Sequence, residues 1–245
     1  MTHLSVNLNK IALLRNARNL DIPNVLKAAA VCINAGAYGI TVHPRPDERH
    51  IRYSDVYDLK PAVSNVEYNI EGNPFTGKYM DLMPEIRPTQ ATLVPDEIGA
   101  LTSDHGWNLN DINCKRLIPI INKLKSLGIR ASLFVDPVIE TVEKAKQIGA
   151  DRIELYTEPY ARAFSTKKNI NDITSKFASA AAKAAEIGLG VNAGHDLSLD
   201  NLGFFCKNVK PVMEVSIGHA LIADAIDMGL SDAVKAYIKI LEENS

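Results

Sequence analysis

The sequence predicts an α/β fold, a single (β/α)8 or TIM barrel over residues 1–245 with extra short helices and loops. Three observations support this prediction. Eight short β-rich runs alternate with longer segments of helical periodicity. A glycine repeatedly stands between a helical segment and the next strand. A length of 245 residues is usual for such a barrel.

The predicted strands are rich in β-branched and aromatic residues and end near turn-forming residues. In chain order they are LSVNL (4–8), YGITVH (38–43), VEYNI (66–70), ATLVP (91–95), RASLFVD (130–136), RIELYT (152–157), GLGVNAG (188–194) and MEVSIGH (213–219). Parallel neighbours need a crossover connection, which a helix supplies. Eight such units in one chain of this length favour closure into a barrel.

Amphipathic helices are predicted between several of these strands, to cover the sheet. They are NVLKAAAVCINAG (24–36), CKRLIPIINKLKSLG (114–128), VIETVEKAKQIGA (138–150) and NDITSKFASAAAKAAEIG (171–188). Gly36, Gly128, Gly149 and Gly188 end these helices, and we expect each to adopt the positive φ of a C-cap.

An open doubly wound sheet is the alternative architecture, but no Gly-rich dinucleotide fingerprint supports it. Residues 72–90 and 96–113 are predicted to be irregular connections within one domain. The second follows a strand directly, the position where barrels place active-site lids. Its Trp107 is interpreted either as the tip of such a lid or as the anchor of a loop.

Composition excludes several classes of protein. The chain is 46% hydrophobic and 23% charged, which is typical of a soluble globular domain. Its 27 basic and 29 acidic residues give a net charge of -2 without a long basic block, so a nucleic-acid partner is not expected. Cys32, Cys114 and Cys206 lack C-x-x-C spacing and predict reduced thiols in the cytoplasm. The sequence shows neither a signal-peptide pattern nor an 18-residue apolar run, so neither export nor membrane insertion is predicted.

Polar residues collect where the predicted strands end. In a (β/α)8 barrel these ends meet at one mouth, where the active site is built. The residues concerned are Asn7, Asn9, Lys10, His43, Arg45, Glu71, Glu154, Thr157, Asn192, His195, Gly218 and His219.

The segment GITVHPRPDERHI (39–51) shows this change from strand to site. GITV is the strand, and the two prolines that follow have no backbone N–H to donate to further ladder hydrogen bonds. His43 titrates in the range useful for proton transfer, and Arg45 offers planar donors that suit phosphate or carboxylate. Asp47 and Glu48 are interpreted as a solvated rim.

Glu71 and two Gly–His pairs are the other candidates for chemistry. Glu71 is either an acid or base beside His43 or an ordinary exposed carboxylate. VNAGHD and SIGHA each place Gly–His at the end of a late strand, where loops commonly bind phosphate. We favour a phosphate site to which His219 adds a donor, over tight turns with structural histidines.

Arg15 and Arg18 follow the first strand and are either helix-surface cations or a phosphate clamp. His43, His195 and His219 show neither H-x-H nor H-E-x-x-H spacing, so no metal site is predicted.

The segments VNLNKIALLRNAR, GITVHPRPDERHI, LVPDE, SLFVD, VNAGHDLS and SIGHALI, in this order, resemble the pyridoxine 5'-phosphate synthase family of the deoxyxylulose-dependent vitamin B6 route. The likeness runs through essentially the whole chain. It implies a barrel that condenses 1-deoxy-D-xylulose 5-phosphate with 3-amino-2-oxopropyl phosphate, releasing inorganic phosphate and water as the pyridine ring closes. It also implies a cytoplasmic homo-octamer that needs no metal and no redox cofactor.

The resemblance assigns roles to residues of this chain. It implies that His43 and Glu71 are proton acceptors and that His195 is a proton donor. The implied contacts to the aminoketone phosphate are Asn7, Arg18, Gly218 and His219, and those to deoxyxylulose phosphate are Arg45, His50 and Thr102.

Two positions depart from the family pattern. Many members have Asp-His where this chain has Asn9-Lys10, so the substrate contact there differs in charge. Asp196 stands where some members have glycine. We expect its backbone to contact substrate while its carboxylate turns away from phosphate.

Two other functions remain open at this point. A Schiff-base aldolase of sugar phosphates would need a lysine on a strand, and the predicted strands contain none. A non-catalytic barrel that binds a phosphorylated metabolite is the other alternative, and the clustering of titratable groups argues against it.

Overall fold

A computed structural model describes residues 1–18, 20–97, 99 and 103–244 of the chain. Their eight strands are all parallel and form a closed barrel in sequence order, with the last strand paired to the first. The strands are β1 (His3–Asn7), β2 (Gly39–Val42), β3 (Glu67–Gly72), β4 (Gln90–Leu93), β5 (Arg130–Val135), β6 (Arg152–Tyr156), β7 (Gly190–His195) and β8 (Glu214–Ile217). The predicted barrel is confirmed.

Eleven helices lie within the described residues. They are α1 (Asn9–Asn16), α2 (Val25–Asn34), α3 (Tyr53–Ala62), α4 (Tyr79–Ile86), α5 (Asp111–Ser126), α6 (Ile139–Gln147), α7 (Glu158–Thr166), α8 (Ile170–Glu186), α9 (Leu202–Asn208), α10 (His219–Met228) and α11 (Leu230–Asn244). The four helices predicted from periodicity correspond to α2, α5, α6 and α8. The four glycines predicted to end them all have positive φ, between 72° and 104°.

The two connections predicted to be irregular differ from that prediction. Residues 72–90 contain α4, although Pro84 lies inside it, because Tyr79, Leu82 and Met83 are buried against the barrel. The end of 96–113 already belongs to α5. Trp107 is an anchor, since it is buried and its indole Nε1–H donates to the Leu93 carbonyl at 2.9 Å.

The hydrophobic core lies between the barrel and its helices. Successive strand residues point to opposite faces of a sheet, and here one set is apolar while the other is polar. Outward-facing residues such as Val6, Ile40, Ile70 and Leu133 are fully buried in this core. The helices cover it with their own apolar faces, which explains the amphipathic pattern of the sequence.

The barrel lumen is polar, whereas such barrels are usually filled by bulky branched side chains. The Asn192 amide of β7 donates across the lumen to Gln90 Oε1 of β4 at 3.3 Å. On the other side, Thr41 Oγ1 bonds both Ser5 and Asn69. Polar side chains joined by hydrogen bonds therefore occupy the lumen in place of the usual apolar side chains.

Ion pairs close the amino-terminal end of the lumen. Arg130 pairs with Glu67 and donates from Nε to Gln90 Oε1 at 2.9 Å. Arg152 donates to Asn192 Oδ1 at 3.0 Å and lies 3.4 Å from Glu214 Oε2. The carboxyl-terminal end of the barrel remains open for a site.

Other sequence-based expectations concern thiols and membranes. Cys32 and Cys206 are buried, Cys114 is partly buried, and all three are free thiols. Among the described residues, no helix combines the length and apolar character needed to span a membrane.

Candidate active site

A cavity of about 270 Å³ opens at the carboxyl ends of the strands. Of the residues to which the resemblance gives a role, all that the structure describes line it except Arg18. The lining residues are Asn7, Asn9, Lys10, His43, Arg45, His50, Glu71, Ser103, Glu154, His195, Asp196, Ser216, Gly218 and His219. Residues from distant parts of the chain thus converge on one space, as the barrel topology requires.

Thr157 and Asn192 were predicted to face the mouth, but neither lines this cavity. The Thr157 hydroxyl donates to the Gly194 carbonyl, and Asn192 lies deeper in the lumen, where it bonds Gln90 and Arg152.

Arg15 and Arg18 do not line the cavity either. Arg18 is exposed just beyond α1. Lys10 lies in the first turn of this helix at the cavity, whereas Arg18 lies two residues beyond its last residue, Asn16. Its phosphate contact stays a prediction, and Thr102 lies outside the described residues. Arg15 is neither a surface cation nor a clamp, so both interpretations of Arg15 are wrong.

Arg15 is instead part of the support of the site. Its buried guanidinium bonds both carboxylate oxygens of Asp55, at 2.5 and 2.8 Å, and the His50 carbonyl at 3.1 Å. The Asn16 amide donates to the same carbonyl at 2.8 Å. α1 therefore holds in place the loop after β2, which carries His50 and Arg45.

His43 and Glu71 form the acid–base pair of the cavity. His43 Nδ1 lies 3.8 Å from Glu71 Oε2, and both side chains are buried. The Asn9 side-chain oxygen accepts from the His43 backbone N–H at 2.9 Å. The Asn7 amide donates to Glu71 Oε2 at 3.3 Å. Two residues predicted to contact substrate thus also fix the proton-transfer groups.

Burial shifts the pKa values of this pair in opposite directions. Desolvation, assisted by Arg45, holds the pKa of His43 well below its usual range. Desolvation, assisted by the Asp96 carboxylate, raises the pKa of Glu71 to about 8. At neutral pH the imidazole is therefore uncharged and able to accept a proton, while the carboxyl group carries one.

Glu154 is a lining residue to which the sequence analysis gave no role. It lies inside β6 and is buried, and burial followed by the nearby Glu71 raises its pKa well above its usual range. Within the described part of the chain, its Oε2 atom makes no hydrogen bond. A protonated carboxyl group with a spare oxygen is thus available to a ligand in the cavity.

His195 adopts an uncommon backbone conformation at the end of β7, with φ of 88°. Positive φ is rare for a residue with a side chain and often marks functional positions. The His195 ring packs against Phe134 and Tyr156, with centroids 5.8 and 6.1 Å apart. Desolvation lowers the pKa of His195, although Asp196 Oδ2, 3.9 Å from its Nδ1, opposes the shift.

Two groups of anion-binding donors flank the acid–base pair. On one side Gly218 precedes α10, whose first backbone N–H groups carry partial positive charge, and exposed His219 follows. A Cβ on Gly218 would come within 3.1 Å of Asn7 Cβ, so glycine permits this close approach.

Arg45 and His50 form the second group, on the loop after β2, and both are buried. His50 Nδ1 accepts from the Ile51 N–H at 2.9 Å, and burial lowers the pKa of His50 to about 4. The neutral ring therefore keeps its proton on Nε2 and is a hydrogen-bond donor there.

The closed parallel barrel and the cavity at its carboxyl end place the chain among the (β/α)8-barrel enzymes. Residues 4–243 match the family model described as pyridoxal phosphate biosynthesis protein PdxJ. The chain belongs to this family.

Curated relatives agree with this assignment. A pyridoxine 5'-phosphate synthase of Flavobacterium johnsoniae is 54% identical over 242 residues, which cover 99% of this chain and 100% of the relative. The protein of the same name from Parabacteroides distasonis is 53% identical, covering 97% of this chain and 98% of the relative.

Solved structures show the fold alone. Phosphoribosyl anthranilate isomerase from Thermotoga maritima superposes with a TM-score of 0.61 at 14% identity, over 99% of this chain and 100% of that one. Tryptophan synthase from M. tuberculosis superposes with a TM-score of 0.66 at 10% identity, over 98% of this chain and 92% of that one.

Proposed function

We propose that the chain is a pyridoxine 5'-phosphate synthase. It condenses 3-amino-2-oxopropyl phosphate with 1-deoxy-D-xylulose 5-phosphate and releases pyridoxine 5'-phosphate, inorganic phosphate and water. The observation that carries the proposal is the buried pair of His43 and Glu71, 3.8 Å apart between two groups of anion-binding donors. The family and the names of the relatives support the choice of substrates.

The proton-transfer groups suit a condensation with several protonation changes. An amine adds to a ketone, water and phosphate leave, and protons move from carbon to oxygen. Neutral His43 accepts a proton first, because its imidazole is uncharged at neutral pH. Glu71 starts protonated, so it donates before it can accept, and it returns to its starting state within one turnover. His195 takes up a proton released in an earlier step, because burial lowers its pKa, and then donates it to a leaving oxygen.

The donor groups at the two sides suit two phosphates. The start of α10, with Gly218 and His219, binds the aminoketone phosphate near Asn7. Arg45 and His50 bind the phosphate of the deoxyxylulose substrate. Lys10, in the first turn of α1, adds a positive charge where many members have histidine.

We also propose that the chain works as a cytoplasmic homo-octamer. The family supports this, and so does an apolar surface formed by Leu14, Ile22 and Ile226, whose exposed fractions are 58%, 75% and 81%. Such patches commonly mark protein–protein contacts. Light scattering of the purified protein should give a mass of about eight chains, and Ile226→Glu should lower it.

The test of the activity uses both substrates with purified protein and a metal chelator. We expect one pyridoxine 5'-phosphate and one inorganic phosphate per turnover. Chromatography measures the first and a phosphate assay measures the second. The matched variants His43→Ala and Arg45→Gln separate proton transfer from phosphate binding, since the first should lower kcat and the second should raise KM. Absence of product from the folded wild-type protein contradicts the proposal.

A further inference from the structure

We propose that Asp96 is a positioning residue of the site, the resident counter-anion of Arg45, whose carboxylate competes with a substrate phosphate for the guanidinium. The inference rests on the proposed function, because it assumes that Arg45 meets a phosphate. It goes beyond that function by explaining how the buried Arg45 guanidinium is held between turnovers and how phosphate is released from it.

Asp96 is built into the site from the loop after β4. Its side chain is buried, and Oδ2 accepts hydrogen bonds from both Arg45 Nη2 and the Ser103 hydroxyl, the latter at 2.7 Å. The Asn73 amide donates to the Asp96 backbone carbonyl at 2.9 Å. Arg45 and Ser103 thus hold the carboxylate, while Asn73 holds the backbone of the same residue.

Arg45 lies between two spaces. It lines the cavity that contains His43 and Glu71, and it also lines a smaller cavity on its other side together with Asp96. Asp96 does not line the larger cavity. A ligand in the larger cavity therefore meets Arg45 from one side while the carboxylate holds it from the other.

Charge makes these two contacts compete. A buried guanidinium without a counter-ion is costly, so Asp96 stabilises the ligand-free site. Once a phosphate arrives, Asp96 adds a like charge close to a dianion, and like charges in a poorly solvated site repel strongly. The same carboxylate is one of the causes of the raised pKa of Glu71, which places it within electrostatic reach of the acid–base pair.

The competition suits a reaction that releases phosphate. In the proposed condensation one phosphate leaves as an inorganic anion, so a site of unopposed cations would retain its product. A resident carboxylate lowers the affinity for phosphate and returns to Arg45 as the anion departs. Asp96 then favours product release rather than binding.

Inorganic phosphate is the probe, because its binding by calorimetry requires no turnover. Asp96→Asn keeps the shape of the side chain and removes the charge. We expect it to bind phosphate about 10-fold more tightly than wild type. We expect its thermal midpoint without phosphate to fall. In turnover, the KM for deoxyxylulose phosphate and the inhibition constant of phosphate should both decrease, and kcat should fall because phosphate leaves more slowly.

Glu242→Gln is the matched control, since it removes the same charge from an exposed side chain of α11 that lines neither cavity. It should leave the phosphate Kd within twofold of wild type. In an Arg45→Gln background, Asp96→Asn should lose most of its effect, because the proposed competition acts through that guanidinium. If Asp96→Asn does not fold, Asp96→Ser takes its place in the same measurements.

The outcomes separate this inference from the proposed function. Weaker or unchanged phosphate binding in Asp96→Asn overturns the inference and shows instead that Asp96 only orients Arg45 or is inert. An equal gain in Glu242→Gln also overturns it, since the effect would then be one of net charge. Failure of wild-type protein to bind phosphate at all would contradict the phosphate site of the proposed function.

Discussion

Burial, rather than ion pairing, sets the protonation states of the acid–base pair in the cavity. His43 and Glu71 are close enough for a salt bridge, yet desolvation is the largest cause of both pKa shifts, and each shift favours the neutral form. A charged pair would give up its charges to pass a proton to substrate. In a neutral pair the imidazole can accept a proton and the carboxyl group can donate one, so one base and one acid are available at the same pH.

Replacing Glu71 by Gln should therefore remove proton transfer and leave binding nearly intact. We expect kcat to fall by about 10²- to 10⁴-fold, the usual contribution of a general acid or base, with little change in KM. Steady-state kinetics with both substrates measure this. Glu67→Gln is the matched control, because Glu67 starts the same strand and pairs with Arg130 at the opposite end of the lumen. A Glu71→Gln enzyme with wild-type kcat would show that Glu71 carries no essential proton.

Residue types and positions predicted much of the cavity, because a polar residue at the end of a barrel strand has few other uses. His43, Glu71 and His195 were found in this way, and all line the cavity. The contacts that loop residues make could not be predicted from residue type and position. Asp96 follows a strand, but only the folded loops place it on Arg45. The misreading of Arg15 has the same origin, since its partner Asp55 lies 40 positions away.

Among the connecting elements, the segment between β4 and α5 is anchored at residues 106–107, close to the start of α5. The Trp107 backbone N–H donates to the Phe134 carbonyl at 2.8 Å, in addition to the indole bond to Leu93. Gly106 lies against the end of β5, where a Cβ would come within 2.3 Å of the Asp136 backbone nitrogen. This anchor fixes one end of the stretch that also carries Ser103 and Asp96.

Gly106→Ala should accordingly displace this segment, because the added methyl group meets backbone rather than a flexible side chain. We expect the thermal midpoint to fall by several degrees, for a cost of about 1–3 kcal/mol, and kcat/KM to fall with it. Differential scanning calorimetry and kinetics measure the two effects. Gly203→Ala on α9 is the control, since its nearest contact is a flexible side-chain end at 3.4 Å. Equal stability of Gly106→Ala and wild type would contradict the anchor.

Local signals and tertiary packing disagree at α4. Residues 72–90 were predicted to be irregular, and their three prolines and two glycines are residues that normally interrupt helices. Yet the Tyr79 hydroxyl donates to the Ile70 carbonyl at 2.9 Å, and Leu82 is buried beside it. Packing of this apolar face outweighs the hydrogen bond lost at Pro84. Elsewhere, as in α8, periodicity and packing agree, and the helix was predictable from sequence.

Over the whole barrel, the polar lumen explains why the strands alternate. Parallel strands covered on both faces usually read as continuous apolar runs. Here strands such as Glu214–Ile217 alternate polar and apolar residues, with the polar ones inside. The alternation could therefore have predicted a polar interior. Which charged side chains pair across the lumen could not be predicted, because this depends on which strands face one another after the barrel closes.

Buried carboxyl groups in this lumen should make stability fall as pH rises. Burial raises the folded-state pKa of Glu71 to about 8 and of Glu214 to about 7, from 4.5. The folded protein thus holds protons that the unfolded chain has released, and this stabilisation is lost as pH rises through the folded values. Histidines with lowered pKa, such as His50, act oppositely, but only as pH falls below about 6.5.

Between about pH 6.5 and 8 the carboxyl groups therefore dominate, and we expect the free energy of unfolding of wild type to fall by a few kcal/mol. Urea denaturation at both pH values measures it. Glu214→Gln, at the end of the lumen away from the site, should reduce the fall by about 1 kcal/mol, because an amide has no proton to lose. Glu243→Gln on the exposed face of α11 should leave it unchanged. A pH dependence that is the same in Glu214→Gln as in wild type would show that this carboxyl group is already ionised in the folded barrel.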